Sequence, residues 1–344
     1  MCFDGPKPED RPTVLYRTQT HLQLDRTGRC RSRGRTSGIH SSATSGSTVR
    51  VEPLPVQFEG YTYKSEIAFT EGSERAPVVL VFPNYAGKKQ FDVDQAVFLA
   101  KLGYVGVAVD LYKETLEYKM SDRNPNKDTP EELVNRHWKG AFTAMNHLLR
   151  NPGTMRGLMA TTLAAARGHP SAHQNYAGAI GYCFGGPCVL ECVRGGIDMQ
   201  AVVGFHGLLQ TFPLFIPGLM GGEKEEKEFD RNINPPPLAK YSTQCKVLME
   251  NGDLDHIVPQ SSIDAWKKEM DAEKIDWQFH NHAQTPHGFA LPPGVWATDY
   301  KLDADRRSTL SMISLFAEVW PEFSPKPVSH NAAGAFLGQT IAKL

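Results

Sequence analysis

The stretch that decides the fold reads Ala179-Ile180-Gly181-Tyr182-Cys183-Phe184-Gly185-Gly186-Pro187. An apolar run that ends at Ile180 is typical of a buried strand, and the apolar segment after Pro187 favours a helix. The small residues around Cys183 would let this strand and helix approach each other closely. The free N–H groups at the start of the helix would then favour the thiolate form of the cysteine. We therefore expect Cys183 at a sharp, reactive turn; the alternative is a cysteine packed in an ordinary strand–helix turn.

Strands and helices are predicted to alternate on both sides of this stretch. The continuous apolar runs are typical of strands covered on both faces, and they are 77–83, 104–110, 201–207 and 246–250. Segments 56–58 and 61–69 alternate apolar and polar residues, which predicts antiparallel edge strands. Helical patterns separate the remaining strands. The fold class is therefore α/β, with a mostly parallel, doubly wound sheet and helices on both faces.

Composition excludes several classes of protein. The 344 residues are 40% hydrophobic and 22% charged, with a formal net charge of −1, so no global charge favours nucleic acid as a partner. No apolar run has the length of a membrane-spanning helix. The six cysteines form neither a C-x-x-C pair nor a Cys/His zinc spacing. We expect no cofactor, no metal, no nucleic-acid partner and no membrane partner.

The ends of the chain differ from its centre. Residues 1–50 are rich in Arg and Ser and poor in large apolar residues, which predicts a disordered extension; a transit peptide and a nucleic-acid-binding arm are the alternatives. Residues 51–325 form the predicted domain, and 326–344 a tail. The last residues, Ala342-Lys343-Leu344, resemble a peroxisomal address. We expect a cytoplasmic location, with the peroxisome as the alternative.

Three reactive side chains follow predicted strands in the order Cys183, Asp255, His287. The carboxyl ends of parallel strands meet at one edge of a sheet, so all three are expected to lie close together. Their order, nucleophile then acid then His, is that of the α/β-hydrolases. His287 would exchange a proton with Cys183, and Asp255 would orient the imidazole. Asp253 is the competing acid.

Four segments, in order and at suitable separations, resemble the dienelactone hydrolase family, a cysteine-dependent branch of the α/β-hydrolases. They are 109–112, 181–186, 252–259 and 287–289. The resemblance implies an α/β-hydrolase fold and cleavage of a small-molecule ester, lactone or thioester through an acyl-cysteine intermediate. It implies Cys183 as nucleophile, Asp255 as acid and His287 as base. The backbone N–H groups of Tyr85 and Phe184 would form the oxyanion hole.

Two positions depart from the pattern of this family. Asn84 stands where bacterial members have a Glu that holds the resting cysteine, and Leu291 stands where they have an Arg that binds the substrate carboxylate. A neutral or apolar substrate therefore fits better than an anionic one. The residues expected to line the substrate pocket are Asn84, Tyr112, Trp138, His206 and Leu291. The alternative function is a non-catalytic protein of this fold that binds a small molecule or a partner.

Two other groups of polar residues have simpler interpretations. His280 and His282 share one face of the last predicted strand and could bind a metal, but a polar strand face is the expected interpretation. His206 follows a predicted strand, so it either lines the pocket or forms its hydrogen bonds within a turn. The oligomeric state has no signal in the sequence.

Overall fold

The computed structural model describes residues 48–115, 118, 130–209, 241–293 and 300–323. The predicted extension up to residue 47 and the predicted tail at 326–344 lie outside these residues. The first strand begins at Val49, two residues before the predicted start of the domain.

Within the described ranges, eight strands form a single sheet. They are β1 Val49–Phe58, β2 Tyr61–Thr70, β3 Ala76–Phe82, β4 Val105–Ala108, β5 Ala172–Tyr182, β6 Ala201–Phe205, β7 Lys246–Gly252 and β8 Trp277–His282. Their order across the sheet is β1-β2-β4-β3-β5-β6-β7-β8. The pairs β1/β2 and β2/β4 are antiparallel, and β4, β3, β5, β6, β7 and β8 run parallel to one another. The predicted antiparallel edge and parallel centre are both confirmed.

In the part of the chain that the structure describes, six helices connect or follow the strands. They are α1 Gln90–Lys101, α2 Glu131–Arg150, α3 Pro152–Arg167, α4 Gly185–Arg194, α5 Gln260–Ala272 and α6 Leu302–Val319. A 3₁₀ turn, Pro321–Phe323, follows α6. Pro130 is the N-cap of α2, with an extended ψ of 135°.

The sheet separates two hydrophobic clusters. Alternate residues of β3 illustrate the division, because Leu80 points into one cluster and Val81 into the other. The first cluster includes residues of α2, α3, α4 and α5, and the second includes residues of α1 and α6. Both faces of the sheet are therefore covered, which explains why the central strands are continuous apolar runs.

Candidate active site

The turn after β5 places Cys183 in a strained conformation. Its φ angle is 54°, in the left-handed region, which costs a residue with a side chain roughly 1–2 kcal/mol. Backbone hydrogen bonds hold it there: Cys183 N–H donates to the Phe205 carbonyl at 3.1 Å, and its own carbonyl accepts from Gly186 at 2.9 Å and Leu208 at 3.1 Å. The sulfur-bearing residue thus precedes the N-terminus of α4 on a rigid turn, as the sequence pattern predicts.

Glycines on both sides of Cys183 allow the strand and the helix to approach. A Cβ atom at Gly185 would lie 2.7 Å from the carbonyl oxygen of Phe82 on β3. A Cβ atom at Gly181 would collide with the backbone of Gly185 itself. The close contact expected from the small residues is therefore present, and it leaves no room for a side chain at either position.

Asp255 and His287 form a buried hydrogen-bonded pair. His287 Nδ1 lies 2.8 Å from Asp255 Oδ2. The other carboxylate oxygen, Oδ1, accepts backbone N–H groups from Ile257 at 2.9 Å and Val258 at 3.2 Å. Both side chains are almost completely buried, so these contacts fix the carboxylate and the imidazole in one orientation.

The second ring nitrogen of His287, Nε2, lies on the side of the ring away from Asp255. Nε2 is buried, and Cys183 interacts with the His287 ring through both its charge and a side-chain hydrogen bond that departs from ideal geometry. Burial lowers the pKa of His287, but the charge of Cys183 and the bond to Asp255 outweigh it and raise the pKa to about 10. At neutral pH His287 is therefore positively charged, and a cationic imidazole beside a cysteine favours the thiolate form.

The competing acid, Asp253, has a different position. Its side chain is exposed, and Oδ1 accepts a hydrogen bond of 3.3 Å from Asn281 Nδ2. His280 and His282 both bind Glu250 of β7, with Nδ1 of His280 at 2.9 Å and Nε2 of His282 at 2.6 Å from its carboxylate oxygens. The two histidines share a strand face, as expected, but the buried carboxylate between them had no signal in the sequence.

The expected oxyanion donors meet at the same edge of the sheet. Phe184 directly follows Cys183, and Tyr85 lies three residues beyond the end of β3, whose last residue pairs with Gly181 of β5. The Tyr112 hydroxyl donates a 3.0 Å hydrogen bond to the Tyr85 carbonyl, which fixes the Tyr85 backbone. The pKa of the Tyr85 phenol is raised, first by burial and then by the charge of Cys183.

Asn84 has a structural task in the same loop. Its Oδ1 accepts the N–H of Ala86 at 2.9 Å, and its backbone carbonyl accepts the N–H of Gly87 at 3.1 Å. An Asn side chain that bonds the backbone two residues ahead makes an Asx turn. The side chain expected to line the pocket therefore also shapes the loop that carries Tyr85.

An aromatic wall extends from Tyr85. Its ring centroid lies 5.4 Å from that of Trp138 and 4.9 Å from that of Phe142, and Lys89 Nζ lies 4.9 Å from the centroid of Trp138. Sequence analysis missed Phe142 and Lys89. Phe142 could have been found, because it lies four residues after Trp138 and so on the same face of α2. Lys89 gave no signal, since its contact spans two distant segments.

The two remaining pocket candidates have different surroundings. His206 is buried beside His287, with ring centroids 5.0 Å apart. Leu291 is buried in the cluster that includes α1 and α6, whereas Cys183 packs against the other cluster. The structure thus brings His206 to the Cys183–His287 side of the molecule, and it assigns Leu291 to the core.

Among the described residues, no group of three or more His, Cys, Asp or Glu side chains could hold a metal ion. Within the same part of the chain, none of the helices combines the length and the apolar character needed to cross a bilayer.

Known proteins resemble this chain over most of its length. The model of the Dienelactone hydrolase family matches residues 59–320. A Bradyrhizobium sp. protein named "probable 2-oxo-3-(5-oxofuran-2-ylidene)propanoate lactonase" is 21% identical, over 70% of this chain and 85% of its own. An uncharacterized Caenorhabditis elegans protein, K02A2.1, is 26% identical, over 49% of this chain and 96% of its own.

A solved structure supports the same fold. The dienelactone hydrolase-like promiscuous phosphotriesterase P91, from metagenomic libraries, has a TM-score of 0.58 and 23% identity, and the match covers 80% of this chain and 99% of that one. The eight-stranded sheet with helices on both faces is therefore the α/β-hydrolase fold. With the family model spanning most of the described domain, the chain belongs to the dienelactone hydrolase family and is a hydrolase that acts on ester bonds.

Proposed function

We propose that this hydrolase cleaves a small-molecule ester, lactone or thioester through a covalent acyl-cysteine intermediate. Cys183 is the nucleophile, His287 the acid and base, and Asp255 the residue that orients the imidazole. The observation that supports the proposal is the 2.8 Å hydrogen bond between His287 Nδ1 and Asp255. Because this bond occupies Nδ1, the buried Nε2 is the ring nitrogen that exchanges a proton at Cys183. A packed structural cysteine has no need of such a pair.

Acylation begins with Cys183 as thiolate and His287 as imidazolium. The sulfur attacks the carbonyl carbon, and the carbonyl electron pair moves to the oxygen, which the N–H groups of Tyr85 and Phe184 would stabilise. When the carbon–oxygen bond of the ester breaks, the leaving alkoxide takes the proton from His287 Nε2. The products of this half-reaction are the alcohol, the acyl-cysteine and a neutral imidazole.

Deacylation reverses the direction of proton transfer. The neutral His287 removes a proton from water, and the resulting hydroxide attacks the thioester carbon. The carbon–sulfur bond then breaks, and the sulfur leaves as the thiolate beside the imidazolium. The carboxylic acid product loses its own proton to solvent, so the enzyme returns to its starting charge state. In a lactone the alcohol and acid remain in one molecule.

We infer a substrate with a neutral or apolar reacting part. Leu291, at the position where the family pattern has a carboxylate-binding Arg, is buried in the core and offers no charge. The aromatic wall of Tyr85, Trp138 and Phe142 suits a flat or apolar group. Lys89, over the face of Trp138, is the nearby cation by which an anionic substrate would be bound instead.

The test compares purified protein with its Cys183→Ala variant on p-nitrophenyl esters and on matched neutral and carboxylate-bearing lactones. We expect turnover by the protein and only background hydrolysis by the variant, with neutral lactones preferred. A stoichiometric burst of p-nitrophenol, with the acyl group located on Cys183 by mass spectrometry, would support the covalent intermediate. Equal background rates in both proteins would contradict the proposal. Together with ligand binding, they would favour the alternative, a non-catalytic binding protein in which Asn84 only shapes the turn that carries Tyr85.

A further inference from the structure

The residue after β6, His206, is held in a conformation that a histidine seldom adopts. Its φ angle is 39°, in the left-handed region. Its N–H donates a 2.7 Å hydrogen bond to the Glu250 carbonyl of β7, while the preceding carbonyl, that of Phe205, accepts the N–H of Cys183. The backbone of His206 is therefore fixed between the Cys183 turn and β7. Strain of this kind persists where the surrounding structure imposes it, often at functional sites.

The side chain of His206 is fully buried and makes no hydrogen bond among the described residues, through either ring nitrogen. Its neighbours are rings. The centroid of His287 lies 5.0 Å away with the planes 73° apart, and that of Phe289 lies 5.4 Å away at 79°. Tyr182 lies 6.0 Å away. An imidazole in such surroundings acts as an aromatic surface rather than as a polar group.

Electrostatics keep this surface uncharged. Burial lowers the pKa of His206 well below its usual value, and the charge of His287 lowers it further. The titratable groups that face His206 are His287 and Tyr182, and no carboxylate binds its ring among the described residues. Glu250, although bonded to the His206 backbone, directs its carboxylate to His280 and His282. Only one of the two neighbouring histidines, His287, is therefore positively charged at neutral pH.

We propose that His206 is a positioning residue, whose neutral ring holds the His287 imidazolium edge-to-face in the orientation that Asp255 selects. Asp255 fixes one nitrogen of His287, and a ring perpendicular to the imidazole prevents rotation about that bond. A neutral aromatic face also tolerates a neighbouring cation, which a second charged imidazole would not. This inference rests on the proposed function only in naming His287 as the base.

The backbone strain supplies matched variants. His206→Asn tolerates the left-handed conformation but removes the ring, and His206→Phe keeps the ring but removes the nitrogens. We expect the rate of Cys183 alkylation by iodoacetamide at pH 7 to fall about tenfold in His206→Asn, because a misplaced imidazole pairs less well with the sulfur. In His206→Phe the rate should stay within about threefold of the original, and its pH dependence between pH 5 and 8 should be unchanged, because the ring that orients His287 is kept and His206 does not titrate in that range.

Histidine ¹⁵N NMR on the unaltered protein gives a second measurement that needs neither folding of a variant nor turnover. Between pH 5 and 8 we expect His206 to stay neutral while His287 stays charged. Titration of His206 near its ordinary pKa of about 6.5, or an alkylation rate in folded His206→Asn equal to that of the original, would overturn the inference. Because alkylation and NMR do not depend on ester cleavage, absence of hydrolysis would count against the proposed function alone.

Discussion

The hydroxyl of Tyr112 donates a 3.0 Å hydrogen bond to the backbone carbonyl of Tyr85. This bond spans two buried loops, one after β4 and one after β3, and it fixes the peptide that carries one of the proposed oxyanion donors. An oxyanion hole depends on donors that are already in place when charge develops on the substrate. The position of the Tyr85 N–H is therefore controlled by a side chain that need not touch the substrate.

Removal of this bond should affect the rate of the reaction more than the binding of substrate. In Tyr112→Phe we expect kcat to fall about tenfold while KM changes less than about twofold. The Tyr85 N–H acts when charge develops on the substrate oxygen, so a less firmly held peptide weakens binding of the transition state more than binding of the substrate. Steady-state kinetics on a p-nitrophenyl ester measure both constants. Tyr104→Phe is the matched control, because the buried Tyr104 hydroxyl has no hydrogen-bond partner among the described residues. A tenfold loss in the control as well would contradict the assignment.

The Asp255–His287 pair predicts a large and specific loss on neutralisation of the acid. Asp255→Asn should lower kcat/KM by about a thousandfold or more, because an amide neither selects the same ring orientation nor stabilises the cation. It should also lower the pKa of His287, which ¹⁵N NMR reports. The neighbouring substitution Asp253→Asn alters an exposed carboxylate and should leave both quantities unchanged. Equal effects of the two substitutions would refute the proposed role of Asp255.

The raised pKa of His287 predicts how stability changes with pH. Its pKa is about 10 in the folded protein, against an ordinary value of about 6.5 in the unfolded chain. The folded state binds this proton more tightly, so its contribution to stability is complete below about pH 6.5 and is lost as the pH rises through about 10. The free energy of unfolding in urea should therefore differ most between the original protein and His287→Gln near pH 6, and the difference should shrink toward pH 10. A difference that grows with pH would have the wrong sign.

Asn84 offers a test of how the sulfur is held. Asn84→Asp keeps an oxygen that can accept the Ala86 N–H, so the turn should survive, but it adds an anion to the loop beside the site. Negative charge nearby disfavours a thiolate, and the rate of Cys183 alkylation at pH 7 should fall about tenfold. Asn84→Ala removes the turn without adding charge and should reduce stability instead. Faster alkylation in Asn84→Asp would indicate that a carboxylate here assists the cysteine.

A buried ionic cluster ties α4 to the surrounding helices. Arg194 binds Glu269 of α5 through two bonds of 2.7 Å and Glu191 at 3.2 Å, and Arg156 of α3 binds Glu191 at 2.6 Å. Arg194→Met would remove the ion-pair partner of Glu269 and leave Glu191 bound to Arg156 alone, and it should cost about 3 kcal/mol in the free energy of unfolding. The exposed pair of Arg50 and Glu71 is the control, and Arg50→Met should cost about 1 kcal/mol or less. A similar cost at both positions would contradict this account.

Much of the fold could be predicted from the sequence, because burial on both faces makes the central strands continuous apolar runs. An apolar run indicates that a strand is buried, but it does not indicate at which residue the strand begins or ends. The last strand, Trp277–His282, lies at the edge of the sheet and has no fully buried residue, so no continuous apolar run marks its bounds. Pro130 illustrates the same limit, because its fixed φ suits both the N-cap and the first helical position, and only the tertiary structure decides between them.

The candidate site was predictable where chain order and strand ends determine proximity, as for Cys183 and His287. Contacts between side chains from distant segments were not. Nothing in the sequence links Lys89 to Trp138, or Glu250 to the two histidines of β8, because periodicity indicates which face a residue occupies and not what lies opposite. The surroundings of Leu291 were not predictable either, because the resemblance gives its position in the family pattern and not its burial in the cluster that includes α1 and α6.

The turn at Cys183 has a further consequence. Hydrogen bonds to main-chain atoms of Phe205, Gly186 and Leu208 fix this turn, and the flanking glycines, which have no side chains, allow the close approach of strand and helix. None of these contacts involves the sulfur atom of Cys183. Exchange of sulfur for oxygen in Cys183→Ser should therefore leave the architecture intact, so that any difference in reactivity between the two proteins measures the intrinsic chemistry of thiol and alcohol in one environment.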